Sequence, residues 1–540
     1  MIGILHGYLL EGSGSNLWTR SIVKSLCENG ETVHLVCQEN HPDRYDFIAE
    51  CYKYNKDNSI QSLLKRSVPY KGKCIMHKPQ LEDTLPVYVW DRYEEFSNVV
   101  PMVDLPNDSI EEYLDYNTKV VTKIVRDYNL PVILANHAVL MSVVAQRVSS
   151  SASIPFSIMT HGSAIEYAVK KDERFYKFAN EALSAAKKIF VSGDEMQTRV
   201  KTVFSSPSIE KKITILNLGV DTKSFKLTPI NLRHNNIEKL CKVLSGKRRG
   251  KKPEQYHDMI KHLYPEIQKE EILKLVADSV PQDLKCPDSD TETKLEQVDW
   301  KNDKIILFVG RFIASKGLQS IIGAMPLILE KYHNAKLIIV GHGPQREIIE
   351  VLLWALEHGH RDLVENIITW GQTLEGSGKN SYEELNRFYK HLQNQNQLDN
   401  YFESAKKHNI TNKVLFMGYL VHQELCHLFP CCDVAIFPSI VKEAGPLVFL
   451  ESLASGCFPL GTYFGGMAAS IDTVAKSLPS NISDLMKISV KEDQMVSDIL
   501  EHTLQVLTLD KSFKETFRKV AIDLYDWQGV SKKLILELQT

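Results

Sequence analysis

Short apolar runs alternate with helical stretches twice along this chain, and no other feature limits its possible folds as strongly. The first series begins with Ile2–Leu5, a loop containing glycine, helical spacing over 16–27 and a second apolar run over 32–37. The second series begins at 305–309 and continues with a helix and the run 336–340. Strand, helix and strand in succession build a parallel sheet covered by helices. We therefore predict an α/β protein with two doubly wound, Rossmann-like domains.

The length of 540 residues exceeds what a single hydrophobic core supports, so a division into domains is expected. We predict an N-terminal domain over 1–222 and a C-terminal domain over 303–513. Between them, 226–302 changes in character and is interpreted as an insertion. The polar stretch 373–408 is predicted to be a second insertion, and a C-terminal helix over about 514–540 is expected to pack back on the first domain. Two similar domains facing each other would form a ligand cleft between them.

Composition excludes several classes of protein. A formal net charge of −3 gives no general basic field for nucleic acid, and the basic run 247–252 is interpreted as a solvated loop. The ten cysteines contain no CxxC pair, which favours buried, reduced thiols. No apolar run approaches the ~20 residues of a membrane span, and no basic region precedes the first apolar residues. We expect a cytoplasmic protein, with peripheral membrane contact and oligomeric state left open.

The stretch 435–456 has the strongest chemical signature. An apolar strand is followed by a loop containing Glu443 and Gly445, and then by a helix that Pro446 is predicted to open. Free amides at a helix N-terminus form an anion site. Glu451 lies eight residues after Glu443, inside the helix. Phosphate-binding amides between two hydroxyl-binding carboxylates would suit a nucleotide sugar, and the predicted amides are those of Leu447, Val448 and Phe449.

Polar residues also follow the predicted strands of the first half. Asn136 and His137 follow one strand, His161 follows the next, and Asp194 follows a third. Open α/β sheets bind ligands at the carboxyl ends of their strands. These four residues are therefore candidates for ligand binding, although a histidine that is merely hydrogen-bonded in a loop remains an alternative.

The glycine loop after the first strand fits the dinucleotide fingerprint poorly. Gly12 and Gly14 supply the first two glycines, but Leu17 occupies the third position. The loop that begins at Gly341 fails in the same way, because Arg346 stands in the third position. A nicotinamide-dependent oxidoreductase with two nucleotide folds is therefore disfavoured.

Four motifs of the second half, in their order and spacing, resemble those of retaining glycosyltransferases of the GT-B fold, family 4 (glycosyl transferases group 1). The first half is similar through Gly12–Gly14, His161-Gly162 and 217–221. The resemblance covers about 1–222 and 303–540 and leaves out both insertions. The four motifs are Gly310-Arg311-x4-Lys316-Gly317, Gly341-x-Gly343-Pro344, Ala435-x2-Pro438-Ser439 and Glu443-x7-Glu451.

The resemblance implies roles for these residues. Arg311 and Lys316 would stabilise the leaving diphosphate, Glu451 would bind the ribose, and Glu443 would bind the donor sugar. His161 would reach the donor sugar from the opposite domain and help to stabilise positive charge near the anomeric carbon. Further donor or nucleotide-binding positions would be Gly12, Gly14, Gly310, Gly343, Tyr419, Leu420, Gly445, Leu447 and Val448.

The resemblance also implies a reaction. A hexosyl group would pass with retention from a UDP- or GDP-linked sugar to a sugar, polyol, lipid-linked or glycan acceptor, without cofactor or metal. The domain over 1–222 would take the acceptor, with Asn136, His137 and Asp194 on that side, and the domain over 303–513 the nucleotide sugar. Base contacts would be main-chain contacts near Tyr419 and Leu420.

One position departs from the family pattern. The family loop commonly carries glycine where Pro446 stands, and proline cannot donate an N–H. Phosphate contacts would therefore begin at Leu447. Two alternatives remain: a non-catalytic sugar- or nucleotide-binding GT-B protein, and an enzyme like the glycan phosphorylases. The latter would need a lysine-bound pyridoxal phosphate, for which no convincing motif is found.

Overall fold

The computed structural model describes residues 1–540 except 82–83, 89–95, 282, 284, 377, 379 and 444. The chain divides into two compact units. Unit 1 comprises Met1–Gly219 with Asp523–Thr540, and unit 2 comprises Val220–Ile522. The aromatic stretch 88–93, interpreted from the sequence as core or interface with acceptor binding as an alternative, lies outside the described residues from 89 onward.

Within the described residues, unit 1 is built on a nine-stranded sheet in the order β11-β10-β9-β8-β1-β2-β5-β3-β4, with β6 and β7 paired separately. Every pairing is parallel except β3 with β4. The chain reverses its direction of progress across the sheet between β1 and β8. The strands are β1 Ile2–Leu5, β2 Thr32–Val36, β3 Ile48–Tyr54, β4 Ile60–Lys65, β5 Lys73–Pro79, β6 Thr84–Val87, β7 Asn98–Pro101, β8 Ile133–Asn136, β9 Phe156–Met159, β10 Ile189–Val191 and β11 Ile213–Ile215.

The polar composition of 40–116 predicts an irregular stretch, and this prediction is wrong, because β3 to β7 lie in this range. These strands carry many polar residues, so they lack the continuous apolar run expected of a buried parallel strand. In β4, five of the six residues are exposed to solvent. Its antiparallel partner β3 alternates less regularly than a half-buried strand should.

The helices of unit 1 begin with α1, whose first turn is capped by the Ser13 hydroxyl, an acceptor for the Asn16 amide at 3.3 Å. A buried cluster joins α1 to the C-terminal helix through Ile22, Leu26, Leu534 and other apolar residues. The helices before the unit boundary are α1 Gly14–Glu28, α2 Asn107–Tyr128, α3 Met141–Ala152, α4 Gly162–Ala164, α5 Glu173–Ala185, α6 Asp194–Phe204 and α7 Pro207–Glu210.

Unit 2 contains, in its described part, a six-stranded parallel sheet in the order β14-β13-β12-β15-β16-β17. Progress across this sheet reverses between β12 and β15. Such a reversal leaves a crevice at the carboxyl ends of the two strands, and open α/β sheets bind ligands there. The strands are β12 Lys304–Val309, β13 Ala335–Val340, β14 Val414–Gly418, β15 Val434–Phe437, β16 Phe458–Thr462 and β17 Lys487–Ile488.

The remaining helices follow Val220. They are α8 Arg233–Leu244, α9 Pro253–Ile260, α10 Lys269–Ser279, α11 Thr291–Glu296, α12 Leu318–Lys331, α13 Arg346–His358, α14 Arg361–Trp370, α15 Glu383–Asn394, α16 Leu398–Lys407, α17 Ile410–Lys413, α18 His422–Leu428, α19 Leu447–Ser455, α20 Gly465–Ala475, α21 Ser480–Ser483, α22 Met495–Thr508, α23 Phe513–Tyr525 and α24 Trp527–Gln539.

Two predicted elements differ from the structure. From the sequence, the short apolar run 367–370 is predicted to be a strand, but it is the last part of α14. The buried residues Leu363, Val364, Ile367 and Ile368 of this helix follow helical rather than strand spacing. The single helix expected over 514–540 is two helices, α23 and α24. The chain breaks at Asp526, which has extended backbone and accepts the Gln528 amide at 3.0 Å. Of these, α24 lies in unit 1 and most of α23 in unit 2.

Both segments interpreted as insertions are helical and belong to unit 2. The segment 226–302 contributes α8 to α11, and 373–408 contributes α15 and α16. The second segment packs on α12, where the Tyr401 hydroxyl donates to the Gly323 carbonyl at 2.9 Å and Ser404 donates to Pro326 at 2.6 Å. All ten cysteines lie among the described residues and are free thiols; seven are buried, as the sequence predicted, whereas Cys241, Cys286 and Cys426 are half-buried.

Candidate active site

Glycines allow the loops at the carboxyl edge of the unit 2 sheet to pack main chain against main chain. A Cβ on Gly341 would lie 1.8 Å from the Gly310 carbonyl oxygen, and one on Gly317 would lie 2.1 Å from that of Pro438. A Cβ on Gly343 would likewise lie 2.4 Å from the Phe312 carbonyl oxygen. These loops follow β12, β13 and β15, so the glycine motifs bring together the loops at the reversal point of the sheet.

A lysine and a carboxylate meet at this point. Lys316, after β12, places its Nζ 2.6 Å from Oε1 of Glu443, after β15. Burial alone would raise the pKa of Glu443. The charge and hydrogen bond of Lys316 outweigh it, with smaller contributions from Ser439 and Arg311, and hold that pKa below its ordinary value. The pair is partly open to solvent, since the side chains are 26% and 23% exposed.

Other predicted site residues lie in the same two loops, after β12 and after β15. Arg311 is exposed directly after β12, and Gly310 donates its amide to the Val340 carbonyl at 3.0 Å. Gly445 lies half-buried beside the start of α19, next to a residue outside the described part. The carbonyl of Glu443 accepts the Gly466 amide at 2.8 Å, which holds the loop against α20.

The helix α19 starts one residue later than predicted. Pro446 is its N-cap with extended backbone, and Leu447 is the first helical residue. The expectation of a free Phe449 amide was wrong, because this group donates to the Pro446 carbonyl at 3.2 Å. Leu447 and Val448 are the first two residues of α19, so their amides have no acceptor carbonyl within the helix. These two amides can therefore donate to an anion.

Glu451 is almost fully buried on α19, with 4% of its surface exposed. Its Oε1 pairs with Nδ1 of His422 at the start of α18. Its Oε2 is buried and has no hydrogen-bond partner among the described residues. A buried carboxylate oxygen without a partner is costly unless a ligand or water completes it. Sequence reasoning missed His422, since no motif connects it to Glu451.

Tyr419 and Leu420 follow β14, on the side of the sheet next to the Gly341 loop. Leu420 is buried, whereas the Tyr419 ring lies 5.3 Å from the ring of His342. The Tyr419 amide, one of the groups expected to contact a base, donates to the Cys286 carbonyl at 3.0 Å. That carbonyl belongs to the first insertion.

In unit 1, His161 lies two residues after the end of β9, within a buried cluster of aromatic rings. Its ring centroid is 4.7 Å from that of His137 and 5.4 Å from that of Trp18. Burial, with a smaller effect of His6, lowers the pKa of His161 to about 3, so the imidazole is neutral at physiological pH. Its Nε2 is buried without a partner among the described residues.

His137 is the most unusual residue of the cluster. Its φ is +70°, in the left-handed region that non-glycine residues seldom occupy. Both ring nitrogens are buried and make no hydrogen bond within the described part of the chain. Burial, followed by His161 and His6, holds its pKa well below the ordinary value. Strained backbone and unpaired polar atoms in one residue are typical of functional sites.

The other residues predicted in unit 1 have different surroundings. Asn136 turns its amide nitrogen to Thr19 Oγ1 at 2.8 Å and His6 Nδ1 at 3.2 Å, in the reversal crevice between β1 and β8. Asp194 is exposed at the start of α6 and makes none of these contacts. Gly12, at φ +98°, lies in the loop before α1, and Gly14 is the first residue of that helix; a Cβ on either would contact nothing within 4 Å.

The chain matches the family model described as glycosyl transferases group 1 over residues 290–364 and 383–474. It is 24% identical, over 234 residues, to an uncharacterized glycosyltransferase of Methanocaldococcus jannaschii. That match covers 43% of this chain and 44% of the relative, so it spans less than half the length of each protein. The region matched by the family model lies in unit 2 and contains Arg311, Lys316, Glu443 and Glu451.

Solved structures extend the similarity in fold to the whole chain. A glycosyltransferase from Rickettsia africae is 14% identical, with a TM-score of 0.55, and 99% of this chain and 97% of that one are covered. Anabaena HepE in complex with UDP and glucose is 12% identical, with a TM-score of 0.53, and 100% and 99% are covered. The chain has the GT-B fold of these glycosyltransferases.

No described helix combines the length and the apolar character needed to cross a membrane. No three histidine, cysteine, aspartate or glutamate side chains of the described part come together as metal ligands.

Proposed function

We propose that this protein is a retaining glycosyltransferase of family 4, which moves a hexosyl group from a UDP- or GDP-linked sugar to a sugar, polyol, lipid-linked or glycan acceptor. The observation that carries the proposal is the Lys316–Glu443 pair at the reversal point of the unit 2 sheet, 2.6 Å apart and partly open to solvent. A screen of nucleotide sugars for binding and hydrolysis tests it. Failure to bind any of them would contradict the proposal.

The groups around this pair suit a nucleotide sugar. Cleavage of the glycosidic bond leaves charge on a diphosphate, and preorganised donors stabilise such charge best. Lys316 and Arg311 would supply positive charge, and the amides of Leu447 and Val448 would supply the helix N-terminus. Glu443, held ionised by Lys316, would accept hydrogen bonds from the hydroxyls of the donor sugar.

In unit 1, we propose that His161 binds a sugar hydroxyl. A neutral imidazole carries one donor and one acceptor nitrogen, and the unpartnered Nε2 of His161 supports this role. Its low pKa argues against transfer of a proton from an imidazolium at neutral pH. His137, with two unpartnered ring nitrogens, supports an acceptor-side role for the same cluster.

Replacing Glu451 with glutamine is expected to weaken binding of the preferred nucleoside diphosphate about 10- to 100-fold, because a hydrogen bond to a charged group contributes roughly 1.5–3 kcal/mol. The Oε2 atom would otherwise accept from a ribose hydroxyl. Calorimetric titration with the nucleotide measures the change. Glu501→Gln, on the exposed face of α22, is the matched control, and equal affinities for both variants would contradict the ribose assignment.

Activity is expected to survive prolonged treatment with EDTA, because basic side chains and a helix N-terminus would neutralise the diphosphate in place of a metal. Turnover of the preferred nucleotide sugar would be measured before and after dialysis against the chelator. Complete loss of turnover that Mn²⁺ restores would overturn the metal-free mechanism.

A further inference from the structure

Lys316 is the last residue of a short turn whose main chain is held from two sides. This 3₁₀ turn, Ala314–Lys316, lies in the loop after β12, and we call it the lysine turn. The carbonyl of its middle residue, Ser315, accepts the Ile440 amide at 2.9 Å and the Ser439 hydroxyl at 3.2 Å. Both donors belong to the loop after β15. One side of the lysine turn is therefore held by the loop that carries the partner of Lys316.

On the other side, side chains hold both main-chain groups of Ala314, the first residue of the lysine turn. The Ala314 carbonyl accepts a hydrogen bond from Gln319 at 3.1 Å, and the Ala314 amide donates to Oε2 of Glu375 at 3.0 Å. Gln319 is 1% exposed and accepts from Gln345 at 2.9 Å. Glu375 comes from the second insertion, 61 positions further along the chain. Its carboxylate is thus the acceptor for an amide that has no partner within the turn.

The second insertion also holds Glu375 itself. The hydroxyl of Tyr382, which is 1% exposed, donates to Oε1 of Glu375 at 3.0 Å. The chain around them closes on itself, since the Gln372 amide donates to the Asn380 carbonyl at 2.9 Å. The Tyr382 amide donates to the Ile368 carbonyl of α14, also at 2.9 Å. Each oxygen of the Glu375 carboxylate therefore has a donor, and one of these donors is fixed to a helix of unit 2.

The Glu375 carboxylate depends on these two donors. Burial raises its pKa, because a carboxylate that is removed from water loses hydration. The hydrogen bonds from the Ala314 amide and the Tyr382 hydroxyl oppose this effect by favouring the ionised form. A shift of the lysine turn would leave the carboxylate and the amide without their compensation. The contact therefore favours one position of the turn.

We propose that Glu375 is a positioning residue of the candidate active site, which orients Lys316 towards the leaving diphosphate through the main chain of the lysine turn. The inference rests on the proposed function, since it supposes that Lys316 stabilises this diphosphate. The second insertion then has a role in the reaction, because it fixes the turn from the side opposite the β15 loop. A preorganised donor needs no rearrangement during the reaction, and a small displacement of such a group is costly.

Replacing Glu375 with alanine in the full-length protein is expected to lower kcat for the preferred nucleotide sugar about tenfold or more, because the lysine turn loses one of its anchors. The loss should stay below that of Lys316→Ala, since a positioning residue acts only through the group that it positions. KM should change less than about threefold, because Lys316 acts mainly in the transition state. Tyr382→Phe removes only the hydroxyl that holds Glu375, and should lower kcat about threefold. Steady-state kinetics measures these changes.

Two further variants distinguish positioning from ordinary stabilisation. Glu375→Gln keeps an oxygen that can accept the Ala314 amide, and its NH₂ group can donate to the Tyr382 hydroxyl oxygen. Its kcat should therefore recover to within about threefold of the native value. Glu357→Ala removes a similar half-buried carboxylate, which accepts the Thr411 amide at 2.9 Å beside the amino end of β14. This control should lower the thermal midpoint without lowering kcat.

A double-mutant cycle tests whether the effect of Glu375 passes through Lys316. If it does, Glu375→Ala introduced into the Lys316→Ala protein should lower kcat by less than about twofold, because the group to be positioned is already absent. The same fold loss in both backgrounds would show that Glu375 acts independently of Lys316.

The outcomes separate the two proposals. If the native protein neither binds nor turns over any nucleotide sugar, the proposed function is wrong and the positioning role is wrong with it. If the native protein is active, the positioning role alone is overturned by a kcat of Glu375→Ala within about twofold of the native value. It is also overturned by an equal loss of kcat in Glu357→Ala, by a Glu375→Gln protein as slow as Glu375→Ala, or by equal losses in the two backgrounds of the cycle.

Discussion

Replacing Lys316 with alanine is expected to lower turnover of the preferred nucleotide sugar about 10²–10³-fold, the usual effect of removing one preorganised donor from a transition state. The lysine does two things in the structure. Its positive charge would stabilise the leaving diphosphate. It also pairs with Glu443 at 2.6 Å and keeps this carboxylate ionised. Its loss would remove charge from the reacting centre and leave a largely desolvated carboxylate with weaker compensation.

The pH profile separates this effect from general damage. In the native protein the pKa of Glu443 is lowered, so its ionised form persists above that pKa and is lost as pH falls through it. Without Lys316, burial becomes the dominant influence and raises the pKa, so the acid limb of kcat should move to higher pH. Lys331→Ala, an exposed lysine at the end of α12, is the matched control. A loss below about threefold, or the same loss in the control, would contradict the role.

The central strands of unit 2 and the start of α19 could be predicted from local sequence patterns. Strands β12, β13 and β15 are short apolar runs followed by glycine or proline, a pattern that favours buried parallel strands. The helix α19 was located within one residue because Pro446 precedes an uninterrupted apolar stretch. The position of a motif at the end of a strand is set by that strand. Lys316 and Glu443 follow the neighbouring strands β12 and β15, so they could be expected to lie close together.

Contacts between segments that are distant in the sequence could not be predicted from local patterns. His422 of α18 pairs with Glu451 of α19, and no sequence pattern in either helix indicates this pairing. The bidentate contact of Asp288 with Arg346 joins residues 58 positions apart. Asp288 begins the acidic run 288–292, a composition typical of the surface, yet it is 1% exposed. Composition identifies charged residues, whereas only packing decides which of them are buried.

The aromatic ring cluster around His161 and His137 in unit 1 could be predicted only in part. His161 and His137 follow predicted strands, so their proximity follows from neighbouring strands of one parallel sheet. The positive φ of His137 and the burial of its ring nitrogens depend on the surrounding rings and could not be anticipated. Asp194 follows a strand in the same way, but α6 begins at this residue and leaves its side chain exposed.

The glycine motifs allow a test of packing that is independent of catalysis. Gly317→Ala is expected to destabilise the protein severely, by more than about 4 kcal/mol, because the new Cβ would lie 2.1 Å from the Pro438 carbonyl oxygen. Gly317 is at φ +74° and ψ 18°. The clash is with main chain, which cannot turn aside as a flexible side chain could.

Gly359 supplies a control with the same backbone. It ends α13 at φ +74° and ψ 23°, and a Cβ there would meet nothing within 4 Å. Gly359→Ala should therefore cost only the left-handed conformation, roughly 1–2 kcal/mol. Thermal unfolding and soluble yield of the two full-length variants measure the difference. Since conformational strain is common to both, a larger loss in Gly317→Ala isolates the contact between the β12 and β15 loops, and equal losses would show that these loops do not meet as described.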